Sequence, residues 1–202
     1  MQNLDYPSIV KFYGINLYNR DDPTKFNPSI LLEYLPNGSL KKTLDDWKKS
    51  KPVDYWTPTC RSKAILGIVY GMKYLHKNHI IHRDLKPDNI MFNDFYEVCI
   101  CDFGISRYVS SSENLEMTKC VGSPAYMAPE NFDIDHDTYN ELVDVYSFSY
   151  IAYEIITGKE LFKNPGRNGN AFFRKILNGL RPDLNVDSIT NKMKALLAKC
   201  WD

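Results

Sequence analysis

The sequence predicts an α+β fold in which a short region of strands precedes a larger helical region. Two strand-like runs occur at residues 9–15 and 29–35, and helical periodicity dominates the remainder of the chain. One helical run, at residues 144–156, is apolar on nearly every side, a pattern typical of a helix buried at the centre of its domain. With 202 residues, of which 44% are hydrophobic, the chain is long enough to bury a substantial core.

The charge and cysteine content exclude several classes of protein. The chain has 25 basic and 25 acidic side chains, so its composition does not indicate a nucleic-acid partner. Its five cysteines include no CxxC pair, which argues against both a disulfide framework and a zinc ribbon. No apolar run approaches the ~20 residues that span a bilayer, and the first residues lack a secretory pattern. We therefore expect a cytoplasmic protein with reduced thiols, with the nucleus as the alternative.

The two strand-like runs, IVKFYGI and SILLEYL, flank the polar segment NRDDPTKFNPS, as in a hairpin with a long connection. The second run is nearly all apolar, which predicts a strand that is covered on both faces. It leads into Pro36, Asn37 and Gly38, which predict a turn. Taken alone, these residues indicate a strand, a turn and then a helix with Ser39 as its N-cap.

Amphipathic helices are predicted on both sides of the apolar run. The first ends in the charged stretch KKSKP, the second extends from about Thr59 to Lys77, and two more lie near the C-terminus. The apolar positions that define them are Leu40, Leu44 and Trp47; then Ile65, Ile68, Val69, Met72 and Leu75; then Phe172, Phe173, Ile176 and Leu177; and finally Ile189, Met193, Leu196 and Leu197.

An acid, a cation and an amide lie close together in the stretch IIHRDLKPDNIM, as Asp84, Lys86 and Asn89. Phosphoryl transfer uses this combination: a carboxylate orients the attacking hydroxyl, a cation stabilises the moving phosphoryl group, and an oxygen ligand binds magnesium. A short alternating run follows, ends at Gly104 and includes Asp102, and such a strand end can aim a carboxylate. These residues therefore predict a site for phosphoryl transfer.

Three histidines, His76, His79 and His82, recur at regular intervals, which suggests metal ligands on one helix face. No carboxylate or cysteine completes a set with metal spacing, so a packing role for His82 is the favoured interpretation.

The run HRDLKPDN resembles the catalytic loop of protein kinases at every position, and Asp102-Phe103-Gly104 resembles their metal-binding motif at a similar spacing. The segment GSPAYMAPE, at residues 122–130, resembles the end of a kinase activation segment, which kinases of small molecules lack. The resemblance implies a bilobal, protein-kinase-like fold. On this basis residues 1–35 would be a remnant of the N-lobe strands and the start of the hinge, and residues 36–202 would form the helical C-lobe.

The resemblance also implies roles for individual residues. Asp84 would be the catalytic acid–base residue, Asn89 and Asp102 would bind Mg²⁺, and Lys86 would contact the transferring phosphate of ATP. The central helix would carry Asp144, bonded to the backbone around His82 and Arg83. The adenine site would comprise Leu32 as gatekeeper, the backbone of Glu33 and Leu35, and Met91 as the floor.

Lys86 stands where serine/threonine kinases have lysine, so the resemblance implies protein substrates with serine or threonine, and Ser123 fits the same pattern. Phrases such as EYLPNGSL look most like the tyrosine-kinase-like group of these enzymes. A phosphate at Thr118 or within residues 110–112 would order the activation segment through Arg83. The alternative is a segment that is ordered without phosphate or is not regulated.

Some parts of the kinase pattern do not occur in this sequence. None of the ten glycines forms a GxG pair, and no arginine follows the Cys200-Trp201 dipeptide to pair with Glu130, since Arg181 precedes it. We therefore expect a partial catalytic domain. The alternative is a pseudokinase, a kinase-like binding module that transfers no phosphate.

Overall fold

The computed structural model describes residues 4–18, 26–103, 106–108, 125–132, 140–162 and 169–201. Within these ranges the chain forms small two-stranded antiparallel sheets and helices, which confirms the α+β prediction. The strands are β1 (Phe12–Tyr18), β2 (Phe26–Leu32), β3 (Ile80–Ile81), β4 (Ile90–Phe92), β5 (Val98–Ile100) and β6 (Arg107–Tyr108). The helices are α1 (Leu40–Lys48), α2 (Pro58–Lys77), α3 (Leu142–Thr157), α4 (Gly169–Leu177) and α5 (Asn191–Cys200), with 3-10 helices at Pro87–Asn89 and Pro129–Phe132.

Helix α3 lies in the core, as its apolar sequence predicts. Side chains on every side of it are buried, including Tyr150 and Ile151, which are fully buried. It packs against α2 and α5. The helix ends at Gly158, which adopts a left-handed φ of 65° where a side chain would meet the ring of Trp47.

Helix α2 packs against β5 along a face close to the one predicted. Ile68, Met72 and Leu75 are buried as expected, but Val69 is 38% exposed, because it points away from the stripe that faces the sheet. Gly71 lies on that stripe, and a Cβ there would come within 2.8 Å of Ile100 Cδ1. The close approach of helix and strand therefore depends on this glycine.

The first hairpin differs from the prediction in its boundaries. Strands β1 and β2 pair from Phe12 opposite Leu32 to Tyr18 opposite Phe26, so the connection is shorter than the polar segment suggested. Ile9 and Val10 belong elsewhere: the Val10 amide donates to the Ile100 carbonyl at 3.0 Å, and Ile9 forms a bridge to the same residue. The start of the predicted first strand therefore pairs with β5.

The prediction that the second strand is covered on both faces is wrong for the described part of the chain. Ile30 is 58% exposed and Leu31 is 51% exposed, although their side chains point to opposite faces of the strand. The physical reason is that β2 pairs only with β1 in the described structure, and no other described element covers the two-stranded sheet.

Two further sequence expectations concern cysteines and membrane spans. Cys60, Cys99, Cys101 and Cys200 are free thiols in the described residues. Within the same ranges, none of the helices combines the length and apolarity needed to cross a bilayer.

Candidate active site

Asp144 in α3 holds the backbone of the loop that follows β3. Its Oδ2 accepts a hydrogen bond from the His82 amide at 2.9 Å, and its Oδ1 accepts one from the Arg83 amide at 2.9 Å. His76 Nε2 lies 2.9 Å from the same carboxylate, which is 1% exposed. Arg83 has a φ of 72°, a conformation unusual for a side chain other than glycine. The buried carboxylate therefore stabilises a strained loop, as the resemblance implies for Asp144.

The structure brings Asp84, Lys86 and Asn89 together. Lys86 Nζ lies 2.6 Å from Asp84 Oδ2. Asn89 Nδ2 donates to the Asp84 carbonyl oxygen at 2.8 Å and lies 3.1 Å from its Oδ2. Asn89 is buried, whereas the side chains of Asp84 and Lys86 are 12% and 21% exposed. The amide thus fixes a carboxylate and an ammonium group that remain accessible to a substrate.

Asp102 lies two residues beyond β5 and directly follows a residue that is hydrogen-bonded to Asn89. The Cys101 amide donates to the Asn89 carbonyl at 2.8 Å, and His82 Nε2 lies 2.9 Å from the Cys101 carbonyl oxygen. The His82 ring is fully buried and packs on Phe103 with 5.3 Å between ring centroids, which agrees with the packing role expected of it. Asp102 itself is exposed and has a φ of 60°. The predicted strand is shorter than expected, since β5 ends at Ile100.

The oxygen donors of Asn89 and Asp102 fit a small divalent cation. Mg²⁺ prefers oxygen ligands and uses one or two protein carboxylates or amides together with substrate phosphates and water. Among the described residues, no group of three or more His, Cys, Asp or Glu is arranged to hold a metal ion.

Two of the residues predicted to bind adenine, Leu35 and Met91, belong to the same small hydrophobic cluster. Leu35 is buried together with Val10 and Cys99, and Met91 packs against the same cluster. The Glu33 amide donates to the Lys11 carbonyl at 2.9 Å. In a backbone hydrogen bond with a ligand, Glu33 would therefore accept through its carbonyl oxygen. Leu32, the predicted gatekeeper, ends β2 and is 39% exposed.

Two thiols border this region and are held in the protonated form. Burial raises the pKa of Cys99 to about 11 and that of Cys101 to about 12, and nearby negative charges contribute in the same direction. At neutral pH these thiols are therefore almost entirely protonated, and the thiolate is the nucleophilic form of cysteine.

A second polar network, which sequence reasoning missed, fixes residues 125–128. The Tyr126 hydroxyl donates to Glu154 Oε2 at 2.7 Å, and Lys48 Nζ lies 2.6 Å from Glu154 Oε1. Ser147 Oγ donates to the Tyr126 carbonyl oxygen at 2.8 Å. Burial and the negative charge of Glu154 raise the pKa of Tyr126 far above its usual value. The available signal was Glu154, a charged residue among the apolar residues in the second half of helix α3.

Several predicted positions lie outside the described residues. They are Gly104, the serines at 110–112, Thr118 and Ser123.

Comparison with known proteins identifies one family and several relatives. The family model of the protein kinase domain matches residues 1–202. The chain is 36% identical to the serine/threonine-protein kinase VIK of Arabidopsis thaliana, over 98% of the chain and 43% of that protein. It is 40% identical to the RGS domain-containing serine/threonine-protein kinase A of Dictyostelium discoideum, over 85% of the chain and 14% of that protein. It is 33% identical to the dual specificity protein kinase shkB of the same organism, over 86% of the chain and 26% of that protein. The chain thus spans less than half the length of each of these relatives.

Proposed function

This chain belongs to the protein kinase family, and we propose on that basis that it transfers the γ-phosphate of ATP to serine or threonine hydroxyls of protein substrates. The observation that carries the proposal is the grouping of Asp84, Lys86 and Asn89 on a loop anchored by Asp144. The family generally uses ATP and Mg²⁺, and binding of both by this chain is part of the proposal.

In the proposed reaction, Asp84 orients the substrate hydroxyl and accepts its proton as the oxygen attacks the γ-phosphorus. Lys86 lies within hydrogen-bond distance of that carboxylate, so its ammonium group is placed beside the reacting oxygen. From there it stabilises negative charge on the transferring phosphoryl group. Asn89 holds the Asp84 backbone and carboxylate through its amide nitrogen, which keeps the acceptor oxygen in place.

Asn89 and Asp102 are the residues that would hold magnesium. When bound, the ion neutralises phosphate charge and orients the phosphates for in-line attack. The Glu33 carbonyl and the Leu35 backbone would bind the adenine edge, and Met91 would contact its face. We place the protein in the cytoplasm, in keeping with its free thiols.

The choice of serine or threonine over tyrosine rests on Lys86. This ammonium group, paired with Asp84 at 2.6 Å, lies in the space where a substrate hydroxyl must approach. The names of two of the relatives reported above support the same preference, and the third is named as a dual specificity enzyme.

The proposal is tested with Asp84→Asn and Asp102→Asn in the full-length protein, assayed for phosphate transfer from labelled ATP to serine, threonine and tyrosine peptides. Each variant is expected to lose at least about a hundredfold in rate, because each removes a charge from the site. Asp94→Asn is the matched control, since Asp94 is exposed in the turn between β4 and β5.

Near-full activity of Asp84→Asn would contradict the role of Asp84. Transfer to tyrosine alone would overturn the substrate class. A wild-type protein that binds ATP and Mg²⁺ but transfers no phosphate would be a kinase-like binding module.

A further inference from the structure

Arg181 joins the ends of two helices. Its Nη1 donates to the carbonyl oxygens of Ile176 and Leu180, each at 3.0 Å. Its Nη2 donates to the carbonyl oxygen of Trp201 at 3.2 Å. Ile176 lies in the last turn of α4, and Trp201 is the C-cap of α5. A cation is favoured near the last carbonyl groups of a helix, and one guanidinium group here donates to a carbonyl at each of the two ends. The Ile176 carbonyl also accepts from the Gly179 amide at 3.0 Å.

The same guanidinium group contacts the central helix. Its carbon atom lies 5.4 Å from the ring centroid of Tyr146 in α3, a distance typical of cation–π contacts. The Tyr146 hydroxyl lies 2.6 Å from the hydroxyl of Tyr150, in the middle of the buried cluster. Arg181 therefore connects α3, α4 and α5 through a single side chain.

These three helices support residues 125–132, which include the described part of the segment that resembles the end of a kinase activation segment. The resemblance implies that this segment docks a protein substrate. Ala128 is fully buried in the same cluster as Tyr146, and the 3-10 helix Pro129–Phe132 packs against α4. Burial raises the pKa of Tyr146, the negative charge of Glu130 adds to this, and the positive charge of Arg181 opposes it. Glu130 and Arg181 thus act on the same hydroxyl group.

We propose that Arg181 is a positioning residue that holds residues 125–132 in the conformation that accepts a protein substrate. The proposal rests on the proposed function. Lysine cannot replace the arginine fully, because three carbonyl contacts and an aromatic contact require a planar fork with several donors. The described partners of Arg181 lie in the elements that support this segment, and none of them is a residue around Asp84. We therefore expect Arg181 to affect the binding of a protein substrate and not the site around Asp84.

The test compares wild type, Arg181→Met and Arg181→Lys in the full-length protein, with Arg174→Met as the matched control because Arg174 is exposed on α4. In Arg181→Met we expect the KM for a protein substrate to rise about tenfold, in line with the sensitivity of rates to small misplacements. The KM for ATP should stay within about twofold of wild type, because none of the residues proposed to bind the nucleotide lies in this segment. The KM of Arg181→Lys for the protein substrate should lie between those of wild type and Arg181→Met.

Hydrogen exchange supplies a readout that does not depend on activity. Amides of residues 125–132 should exchange at least about tenfold faster in Arg181→Met, while those of residues 82–91 should be unchanged. Unchanged exchange in residues 125–132, or an equal rise of both KM values, would overturn the proposal. If Arg181→Met does not fold, the same two measurements on Arg181→Lys decide. If wild type transfers no phosphate, the proposed function fails, and the exchange comparison alone decides the role of Arg181.

Discussion

The hydroxyl of Tyr126 lies 2.7 Å from the buried carboxylate of Glu154, although the two residues belong to different parts of the chain. The second oxygen of this carboxylate is paired with Lys48 from α1. One charged group inside α3 therefore joins a helix that follows the first hairpin to the segment that follows the catalytic loop. Removing the hydroxyl of Tyr126 and removing the ammonium group of Lys48 should therefore lower the free energy of unfolding by different amounts.

Tyr126→Phe removes the hydroxyl donor and leaves one oxygen of Glu154 without this partner. A hydrogen bond to a buried charged group contributes about 1.5–3 kcal/mol, so we expect the free energy of unfolding to fall by that amount. Urea denaturation measures the change. Tyr70→Phe is the control, since the Tyr70 ring is 52% exposed, and an equal loss in both variants would contradict the specific role of the Tyr126 hydroxyl.

Lys48→Met should destabilise the protein more strongly. It leaves the Glu154 carboxylate, which is 5% exposed, without its counter-ion, and breaking a buried pair in this way costs about 3–5 kcal/mol. Adding Glu154→Gln to the same protein should restore part of the loss, because no buried charge then remains. Lys49→Met, at an exposed neighbouring lysine, should change stability by less than about 0.5 kcal/mol. A double variant less stable than Lys48→Met alone would contradict this account.

Asp144→Asn should lower activity at least about a hundredfold, because an amide offers one acceptor oxygen where the carboxylate serves the amides of both His82 and Arg83. The amide nitrogen would face one backbone N–H, and the left-handed conformation of Arg83 would lose support. Steady-state kinetics and thermal unfolding of the full-length protein measure both effects. Asp187→Asn, at an exposed position, serves as control. Unchanged activity would show that the loop holds its shape without this carboxylate.

The thiols of Cys99 and Cys101 should be unreactive in the folded protein. With pKa values of about 11 and about 12, their thiolate fractions at about pH 8 are at least about a hundredfold below that of a thiol with the usual pKa of 9.0. Iodoacetamide labelling followed by mass spectrometry should show slow modification that accelerates in urea. Rapid labelling of either thiol in the native protein at about pH 8 would contradict the assignment.

The raised pKa values of Cys99 and Cys101 also make the free energy of unfolding depend on pH. Each thiol has a higher pKa folded than unfolded, so its contribution is complete below the unfolded value of 9.0 and is lost as pH rises through the folded value. The free energy of unfolding should therefore fall between about pH 9 and pH 12. The double variant Cys99→Ala, Cys101→Ala should show a shallower decline, and an identical slope would contradict this contribution.

The parts of this structure that depend on contacts between residues close in sequence could be predicted from the sequence. The apolar stripe of Leu40, Leu44 and Trp47 predicts helix α1 and packs it against the core. Ser39 caps this helix, because its side chain accepts a hydrogen bond from the Lys42 amide. The grouping of Asp84 and Asn89 was equally predictable, because the two residues lie close together in one loop and their contacts are local.

Contacts between distant segments could not be read in the same way. Val10 pairs with Ile100, so the first strand begins later than predicted, at Phe12. No local sequence pattern shows that the partner of Val10 is Ile100 and not a residue of β2. Lys48, Tyr126 and Glu154 come from three separate segments, and each looks ordinary in its own sequence context. Their association follows from packing around α3, which periodicity cannot supply.

The mounting of the catalytic loop on Asp144 has a consequence for heat inactivation. A loop held only by its own turn would loosen on warming well before the rest of the protein melts, and activity would fade gradually. Here the amides of His82 and Arg83 are bonded to a side chain of the deeply buried helix α3, so the loop cannot detach while that helix stays folded. Catalytic activity and far-ultraviolet ellipticity should therefore be lost together, over one narrow range of temperature.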